Sequence, residues 1–379
     1  MKLSVLVLTK YVAIRHFEII MSLDSFQEFL SSHGAEYGEL TGKKLVKSYG
    51  DIISEYRSLT KSVALIDLTS RGCLAVLGAD RVKYINGQIT NEVMGLQSGQ
   101  GCYAALVNAK AKMQSDLNIY RLEDELILDF EPGLIEIVKA RLESHIVSDN
   151  VELVDVSPHF GLLSLQGPDT GKALASLGLS IPTEPLSHVK VSQPDAGEWF
   201  LMHNSRFGHL GCDLYIPRAY LTKATERLFE VVVKQGGGLS GWEATEISRI
   251  ESGIPRFGSE MDQNTLPPEV NIEARAISYS KGCYIGQEII ARIRTYGRVN
   301  RTLVGFRFDQ KLAEKVVPGT LLQDEEGKSV AKITSIAKSP KFGIVALGLA
   351  RRTHADLGNV LNAKDLLDGR ATITSLPFC

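Results

Sequence analysis

Residues 249–294 read RIESGIPRFGSEMDQNTLPPEVNIEARAISYSKGCYIGQEIIARIR, and the end of this segment raises a chemical question. In KGCYIGQE, residues 281–288, one cysteine lies between two glycines and two places after a lysine. Such a thiol could be a nucleophile, a metal ligand, a redox sensor or a small apolar filler in a tight turn. Gly282 and Gly286 both permit a tight turn that a side chain would block.

The residues that follow the second glycine predict a helix, because GQEIIARIR continues without a breaking residue. Cys283 would then lie near a helix N-terminus, where the partial positive charge and the ammonium of Lys281 both stabilise a thiolate. We therefore expect Cys283 to be a working thiol and Lys281 to assist it, and we treat both as candidate catalytic residues. A single thiolate cannot hold a metal cluster alone, so any metal would be shared with a partner.

Length and charge limit the function classes. The chain has 379 residues, enough for two or three domains that each bury a core. Lysine and arginine number 42 against 44 aspartates and glutamates. A protein that coats DNA or RNA carries a large basic excess, so we do not expect nucleic acid as a partner.

Cysteine usage and hydropathy indicate the compartment. The five cysteines are scattered and include no C-x-x-C pair, which predicts neither a disulfide framework nor a self-contained zinc site: Cys73, Cys102, Cys212, Cys283 and Cys379. We assign no metal ligands. No segment reaches the roughly 20 apolar residues that a membrane span needs. These features predict a cytoplasmic protein in a reducing compartment.

The N-terminal segment is expected to contribute little. The apolar run of residues 3–8 is short, charged residues follow it at Lys10, Arg15 and Glu18, and no signal-peptide cleavage site is present. A second methionine, Met21, precedes SLDSFQEFLSSHG, in which Asp24 could cap a helix that Gly34 ends. We expect residues 1–20 to be a weakly structured extension.

Helical and strand patterns alternate along the middle of the chain. Residues 220–234 place five apolar side chains on one helical face: Leu221, Ala224, Leu228, Val231 and Val232. Residues 134–146 do the same with Leu134, Ile137, Val138, Leu142 and Ile146. Strand-like runs lie at residues 125–130, 151–156, 161–167, 198–203 and 213–217. Strands interrupted by single helices predict an α+β fold with mixed or antiparallel sheets.

The sequence pattern changes after about residue 300, from mixed helical and strand patterns to strand patterns alone. Short β-type runs such as TLVGFRF and GIVALGL are separated by turns such as VPGT and DEEGK, and no amphipathic helix intervenes. This region, residues 299–379, predicts a small all-β barrel or sandwich. Residues 292–301 would form the linker or the helix end before it.

The KGCYIGQE motif and its surroundings closely resemble the YgfZ family, which comprises folate-binding relatives of the T protein of the glycine cleavage system. The family signature is K-G-C-Y-x-G-Q-E, and this chain meets every fixed position. The segments LGADRVKYINGQITNEV, LVNAKAKMQSDLNIYR and NSRFGHLGCDLYIP are also similar to family segments, as is the tail KITSIAKSPKFGIVALGLAR. The resemblance covers roughly residues 40–379.

This resemblance implies a three-lobed aminomethyltransferase-like fold around a channel that holds tetrahydrofolate. Two intertwined α+β lobes would occupy residues 21–298, and a C-terminal β-barrel would follow. The polar residues that we expect to orient the folate are Asp116, Asp213, Arg249, Tyr284 and Gln287.

The departures from the T protein bear on activity. Where the T protein carries two adjacent carboxylates this chain has Ser115–Asp116, and a serine is no base at neutral pH without a partner. A T-protein arginine is replaced by Thr245, and the loop at residues 208–213 offers only Asp213. Ala111 stands where the family usually has glycine, which makes a close backbone approach there less favourable.

The resemblance implies two alternative functions. A third possibility does not depend on the resemblance. The first is a tetrahydrofolate-binding accessory protein that supports iron–sulfur cluster assembly or repair, with assembly factors or client enzymes as partners. The alternative is a tetrahydrofolate-dependent aminomethyltransferase or methyltransferase, against which Ser115 weighs. The third is a binding scaffold in which Cys283 is merely packed.

Overall fold

A computed structural model describes residues 16–297, 299–308, 315–364 and 369–379. The chain folds into two compact units, each assembled from separate stretches of sequence. The first unit comprises Met1–Asn86, Val93–Tyr103 and Leu117–Thr245. The second comprises Gly87–Glu92, Ala104–Asp116 and Glu246–Cys379.

Helices are distributed along both units. They are α1 His16–Ser32, α2 Ile52–Lys61, α3 Arg81–Gln88, α4 Ile135–Glu143, α5 Thr170–Ala175, α6 Leu221–Lys234, α7 Trp242–Glu251, α8 Glu273–Ala276 and α9 Gln287–Tyr296. Short 3₁₀ helices lie at Arg218–Tyr220, Pro267–Val270 and Arg352–His354. Helix α6 buries all five of its predicted apolar residues, which confirms that its sequence spacing sets the core-facing stripe.

Two helical expectations were wrong. Helix α1 begins at His16, so Asp24 lies inside the helix and does not cap it, and residues 16–20 of the expected extension are helical. Residues 1–15 lie outside the described part of the chain. In α4, Leu134, Val138 and Leu142 are buried, but Ile137 is 47% exposed. The helix is short, so only a narrow stripe reaches the core and Ile137 falls beside it.

In the part of the chain that the structure describes, the strands form four sheets. Their bounds in the first two-thirds of the chain are β1 Glu36–Leu40, β2 Lys43–Ser48, β3 Ala64–Asp67, β4 Gly72–Leu77, β5 Gln100–Val107, β6 Met113–Arg121, β7 Leu126–Phe130, β8 Glu152–Asp155, β9 Phe160–Gln166, β10 His188–Gln193, β11 Gly197–His203, β12 Gly211–Pro217 and β13 Gly238–Leu239. Strands β1 and β2 form a hairpin. The larger sheets have the orders β10-β11-β12-β9-β3-β13 and β5-β6-β7-β4-β8. All five predicted strand runs are present.

The six-stranded sheet of the first unit is buried on both faces. One face packs Leu163, Trp199 and Leu214 against α1 and α6. The alternate residues, among them Leu162 and Tyr215, pack against side chains of β4, β6 and β7. Because neighbouring strand residues point to opposite faces, polar residues at the alternate positions are carried into this second core.

A closed barrel forms the C-terminal part of the second unit. Its strands are β14 Arg301–Phe308, β15 Leu321–Gln323, β16 Ser329–Ser339, β17 Gly343–Arg351, β18 Val360–Ala363 and β19 Arg370–Thr374. They close in the order β14-β17-β16-β15-β18-β19, which confirms the predicted barrel. A bulge between Ile333 and Ser335 shifts the register of β16 against β17.

Candidate functional site

The KGCYIGQE segment forms an exposed loop in front of α9. Cys283 is exposed, and the helix begins four residues later at Gln287, as the sequence predicted. Gly286 precedes the helix in the left-handed conformation, with φ of +84°. The thiol is thus displayed beside a helix N-terminus.

The two glycines of the loop differ in what they permit. A Cβ atom on Gly286 would lie 2.8 Å from the carbonyl oxygen of Asn108 and 3.2 Å from Cα of Ala111. A Cβ atom on Gly282 would meet nothing within 4 Å, and the backbone there is not left-handed. The expectation that both glycines are required was therefore wrong for Gly282. The backbone does approach closely at Ala111, which itself adopts a positive φ of 56°.

Lys281 is a buried cation that fixes this loop. Its side chain is 7% exposed, and its ammonium donates to the carbonyl oxygens of Ile89, at 2.9 Å, and Asn91, at 2.6 Å. The same ammonium lies 5.0 Å from the ring centroid of Tyr284. The N–H of Ile285 donates to the carbonyl of Gly87 at 3.1 Å. These contacts hold the loop at both sides of the thiol, while the catalytic role of Lys281 stays a prediction.

The other cysteines are placed differently. Cys73 and Cys212 are buried, and burial raises the pKa of each thiol well above its ordinary value. Cys102 is half-buried, and Cys379 is exposed at the C-terminus. Among the described residues, no three histidine, cysteine, aspartate or glutamate side chains stand close enough to hold a metal ion.

Three of the expected folate contacts lie near this loop or on β6. Burial raises the pKa of Tyr284 to about 12, so its phenol stays neutral. Gln287 is half-buried and donates its backbone N–H to the carbonyl of Tyr284. Asp116 is half-buried, and its carbonyl accepts the hydroxyl of the fully buried Ser115 at 3.0 Å.

Arg249 donates hydrogen bonds from its guanidinium to residues of the second unit. Its guanidinium, 3% exposed, donates to both carboxylate oxygens of Glu246, at 2.7 and 2.8 Å. It also donates to the carboxylate of Glu260 at 2.9 Å and to the carbonyl of Ile254 at 3.1 Å. A fifth N–H reaches the hydroxyl of Ser335 on β16 at 2.6 Å. An arginine has five N–H donors, so a direct bond to folate would require one of these to break.

The carboxylate of Asp213 likewise accepts hydrogen bonds from residues of the first unit. It is fully buried and accepts from Ser164 at 2.7 Å, Asn204 at 3.0 Å and Arg206 Nε at 2.8 Å. Burial raises its pKa, against the opposing charge of Arg206. The structure therefore places Asp213 in an internal network and not on a surface where it could meet a ligand directly.

Sequence reasoning missed the rest of this network. Arg206 also donates to Asp129 at 2.7 Å, and Arg71 Nε donates to the other oxygen of Asp129 at 2.7 Å. Although burial opposes ionisation, Arg206 and Arg71 lower the pKa of Asp129 to about 2. A lone aspartate inside the apolar run ELILDF was the available signal, because a buried charge in a strand requires a partner.

A histidine lies in the same unit, on β10. His188 is buried, and its ring meets that of Tyr120 edge to face at 5.9 Å. Burial lowers the pKa of His188 to about 4, although the carbonyl of Arg121 favours the protonated form. The imidazole is therefore neutral in the folded protein at ordinary pH.

Comparison with known proteins defines the family. Residues 26–281 match the family described as GCVT N-terminal domain. The chain belongs to this family. The YgfZ branch of the resemblance stays a prediction.

Several known proteins resemble the chain over most of its length. An aminomethyltransferase of Thermotoga neapolitana is 27% identical over 84% of this chain and 87% of that protein. A putative chloroplastic transferase of Arabidopsis thaliana is 24% identical over 93% of this chain and 79% of its own. The crystal structure of glycine cleavage system aminomethyltransferase T from Bartonella henselae superposes with a TM-score of 0.84 at 22% identity, covering 94% of this chain and 97% of that one. The predicted α+β fold with a C-terminal barrel is thereby confirmed.

No described helix of this GCVT-family chain is long and apolar enough to cross a bilayer.

Replacing Gly286 should destabilise the protein, whereas replacing Gly282 should not. We expect Gly286→Ala to lower the free energy of unfolding by about 1–3 kcal/mol, because alanine is strained at this φ and its Cβ would meet the Asn108 carbonyl. Gly282→Ala, in open space, should stay within about 0.5 kcal/mol of the wild type. Urea denaturation measures both. Equal midpoints for the two variants would contradict this account of the loop.

His188 should make the protein less stable in mild acid. Its pKa rises from about 4 in the folded chain to the ordinary value of about 6.5 on unfolding, so the unfolded chain binds more protons between these pH values. The free energy of unfolding should therefore fall as the pH drops from about 6.5 to about 4. Urea midpoints across this range should fall less steeply in His188→Gln. The exposed His145 provides the control, and a His145→Gln curve as flat as that of His188→Gln would refute the assignment.

Proposed function

We propose that the protein binds a reduced folate and supports iron–sulfur cluster assembly or repair through Cys283. Assembly factors or client enzymes would be its partners, in a reducing compartment such as the cytoplasm. The observation that carries the proposal is the display of one exposed thiol on a loop that Lys281 and Gly286 hold in place.

A fixed, exposed thiol suits transient contact with a cluster or with a partner's thiol. Thiol exchange and metal ligation both require the thiolate to be accessible. No other described histidine, cysteine or acid completes a metal site with it, so a cluster would take its remaining ligands from the partner. Such contact depends on access from outside, which the exposure of Cys283 permits.

Folate binding is supported by the match to the GCVT family and by the similarity to proteins named aminomethyltransferase. Several similar proteins are named aminomethyltransferase. Of the five residues expected to contact folate, Arg249 and Asp213 are bonded internally and do not fit as direct contacts without rearrangement. Asp116 and Gln287 are half-buried polar side chains that remain suitable, with Tyr284 as a neutral neighbour. They would offer a carboxylate and an amide to the polar edge of the ligand.

Aminomethyl transfer is the second candidate, favoured by those names and by the length of the match. Against it stands Ser115, which replaces a T-protein carboxylate in the resemblance. Its hydroxyl is fully buried and bonded to the neighbouring Asp116 carbonyl. No described base contacts this hydroxyl by a hydrogen bond, so we favour the accessory function.

Loss of the thiol should abolish the cellular function without unfolding the protein. In cells that lack the wild-type protein, we expect Cys283→Ala to leave the activity of a [4Fe–4S] dehydratase at the level of the deletion. Cys379→Ala should restore it, and this variant is a matched control because its thiol is also exposed. Urea denaturation of both purified variants checks folding. Full complementation by Cys283→Ala would refute the proposal for the thiol.

Folate binding and aminomethyl transfer are separated by two measurements on the purified protein. Calorimetry should show tetrahydrofolate binding with a dissociation constant on the order of micromolar. Asp116→Asn should weaken it, because the variant loses the carboxylate charge while keeping its shape. Incubation with an aminomethylated lipoyl carrier and tetrahydrofolate should release no ammonia above background. Absence of binding heat would overturn the folate assignment, and steady ammonia release would establish the second candidate instead.

A further inference from the structure

The second unit contains a polar cleft that the proposed function does not use. It measures about 460 Å³, within the range of ordinary small-molecule sites. One side is formed by Glu246, Arg256 and Ser259, and the other by residues 332–336 of β16. Two glycines, Gly258 and Gly319, border it where an added Cβ would meet nothing within 4 Å.

Among the described residues that line this cleft, the one acid is already neutralised. Glu246 accepts two N–H groups from Arg249 and a further one from Arg256. Arg249 is balanced in addition by the buried carboxylate of Glu260. Two arginines and two glutamates thus form a neutral cluster, and Glu246 presents little negative charge to the cleft.

The charge of Lys332 then makes the net charge of the described cleft residues positive. Lys332 lies on β16, its side chain is exposed, and no described carboxylate comes within ion-pair distance of its ammonium. Among the described residues that line the cleft, adding its charge to the neutral cluster leaves a net charge of about +1. The hydroxyl of Ser259, which accepts an N–H from Arg256, keeps its own proton to donate.

We propose that this cleft binds a small molecule through a phosphate or carboxylate group. Lys332 and the hydroxyl of Ser259 would donate to the oxyanion, and Arg256, whose charge is paired with Glu246, would hold the Ser259 hydroxyl in place. Pro318 and Ile336 supply apolar surface for the body of the ligand. An ammonium and a hydroxyl are donors that suit the oxygens of both chemical classes.

The alternative is that Lys332 is a solvated surface cation with no ligand. A second lysine on the same strand distinguishes the two. Lys338 is also exposed, also has no described ion-pair partner, and does not line the cleft. Non-specific attraction of anions to a lysine on β16 would affect both positions equally.

The experiment titrates the wild-type protein with inorganic phosphate and, separately, with malonate, in a chloride-free buffer. Calorimetry or a ligand-induced rise in melting temperature should show saturable binding of at least one anion, with a dissociation constant on the order of millimolar. Lys332→Gln should weaken that binding about fivefold or more, while Lys338→Gln should leave it within about twofold. Added salt should weaken the wild-type binding.

The two anions identify the chemical class, and the outcomes are decisive. Saturable binding that depends on Lys332 and not on Lys338 supports the site. Absence of saturable binding of both anions, or an equal loss in the two lysine variants, overturns it. No folate is present in either titration, so the result does not depend on the proposed function.

Discussion

The buried ammonium of Lys281 is the interaction on which the candidate thiol site depends. Taking a cation out of water costs several kcal/mol unless polar groups replace its hydration. Here the carbonyl oxygens of Ile89 and Asn91 do so, with the face of the Tyr284 ring nearby. Because these carbonyls belong to a distant stretch of the chain, the lysine ties residues 281–286 to residues 87–92. The main role of the Lys281 charge is therefore structural. Its hydrogen bonds fix the loop, and the loop fixes the position of the exposed Cys283.

Both units contain buried arginines that pair with residues from other segments of the chain. Arg249 finds Ser335 86 residues later, and Arg206 joins Asp129 to Asp213 across 77 and 7 residues. In every case the cost of burial is offset by several charge-assisted hydrogen bonds at once. These networks explain why arginines and aspartates in a family motif need not face a ligand, since the same residue types also stabilise the fold.

Local pattern predicted the elements well and the contacts between distant segments poorly, for a physical reason. The stripe of α6, the strands and the C-terminal barrel follow from periodicity, which depends only on near neighbours in sequence. The exposure of Ile137 depends on tertiary context that periodicity does not carry. Likewise, the motif contains two glycines, but only Gly286 is opposed by another stretch of backbone, at Asn108. Contacts between distant segments determine whether a glycine is required at such a position. The sequence shows the glycine but does not show which residue lies against it.

The same distinction separates fold from activity in this chain. Its fold is shared with an aminomethyltransferase, yet several positions that the resemblance carries over from the T protein are substituted or hydrogen-bonded within the protein. Ser115 offers no carboxylate, and the most strongly charged candidates, Asp213 and Arg249, have their hydrogen-bonding groups filled by protein. Under the proposed function, a scaffold with a serine in place of the T-protein carboxylate would hold a ligand that it does not activate. Under that constraint, the exposed thiol of Cys283 is the group best placed to act on something outside the protein, which is why we assign the function to it.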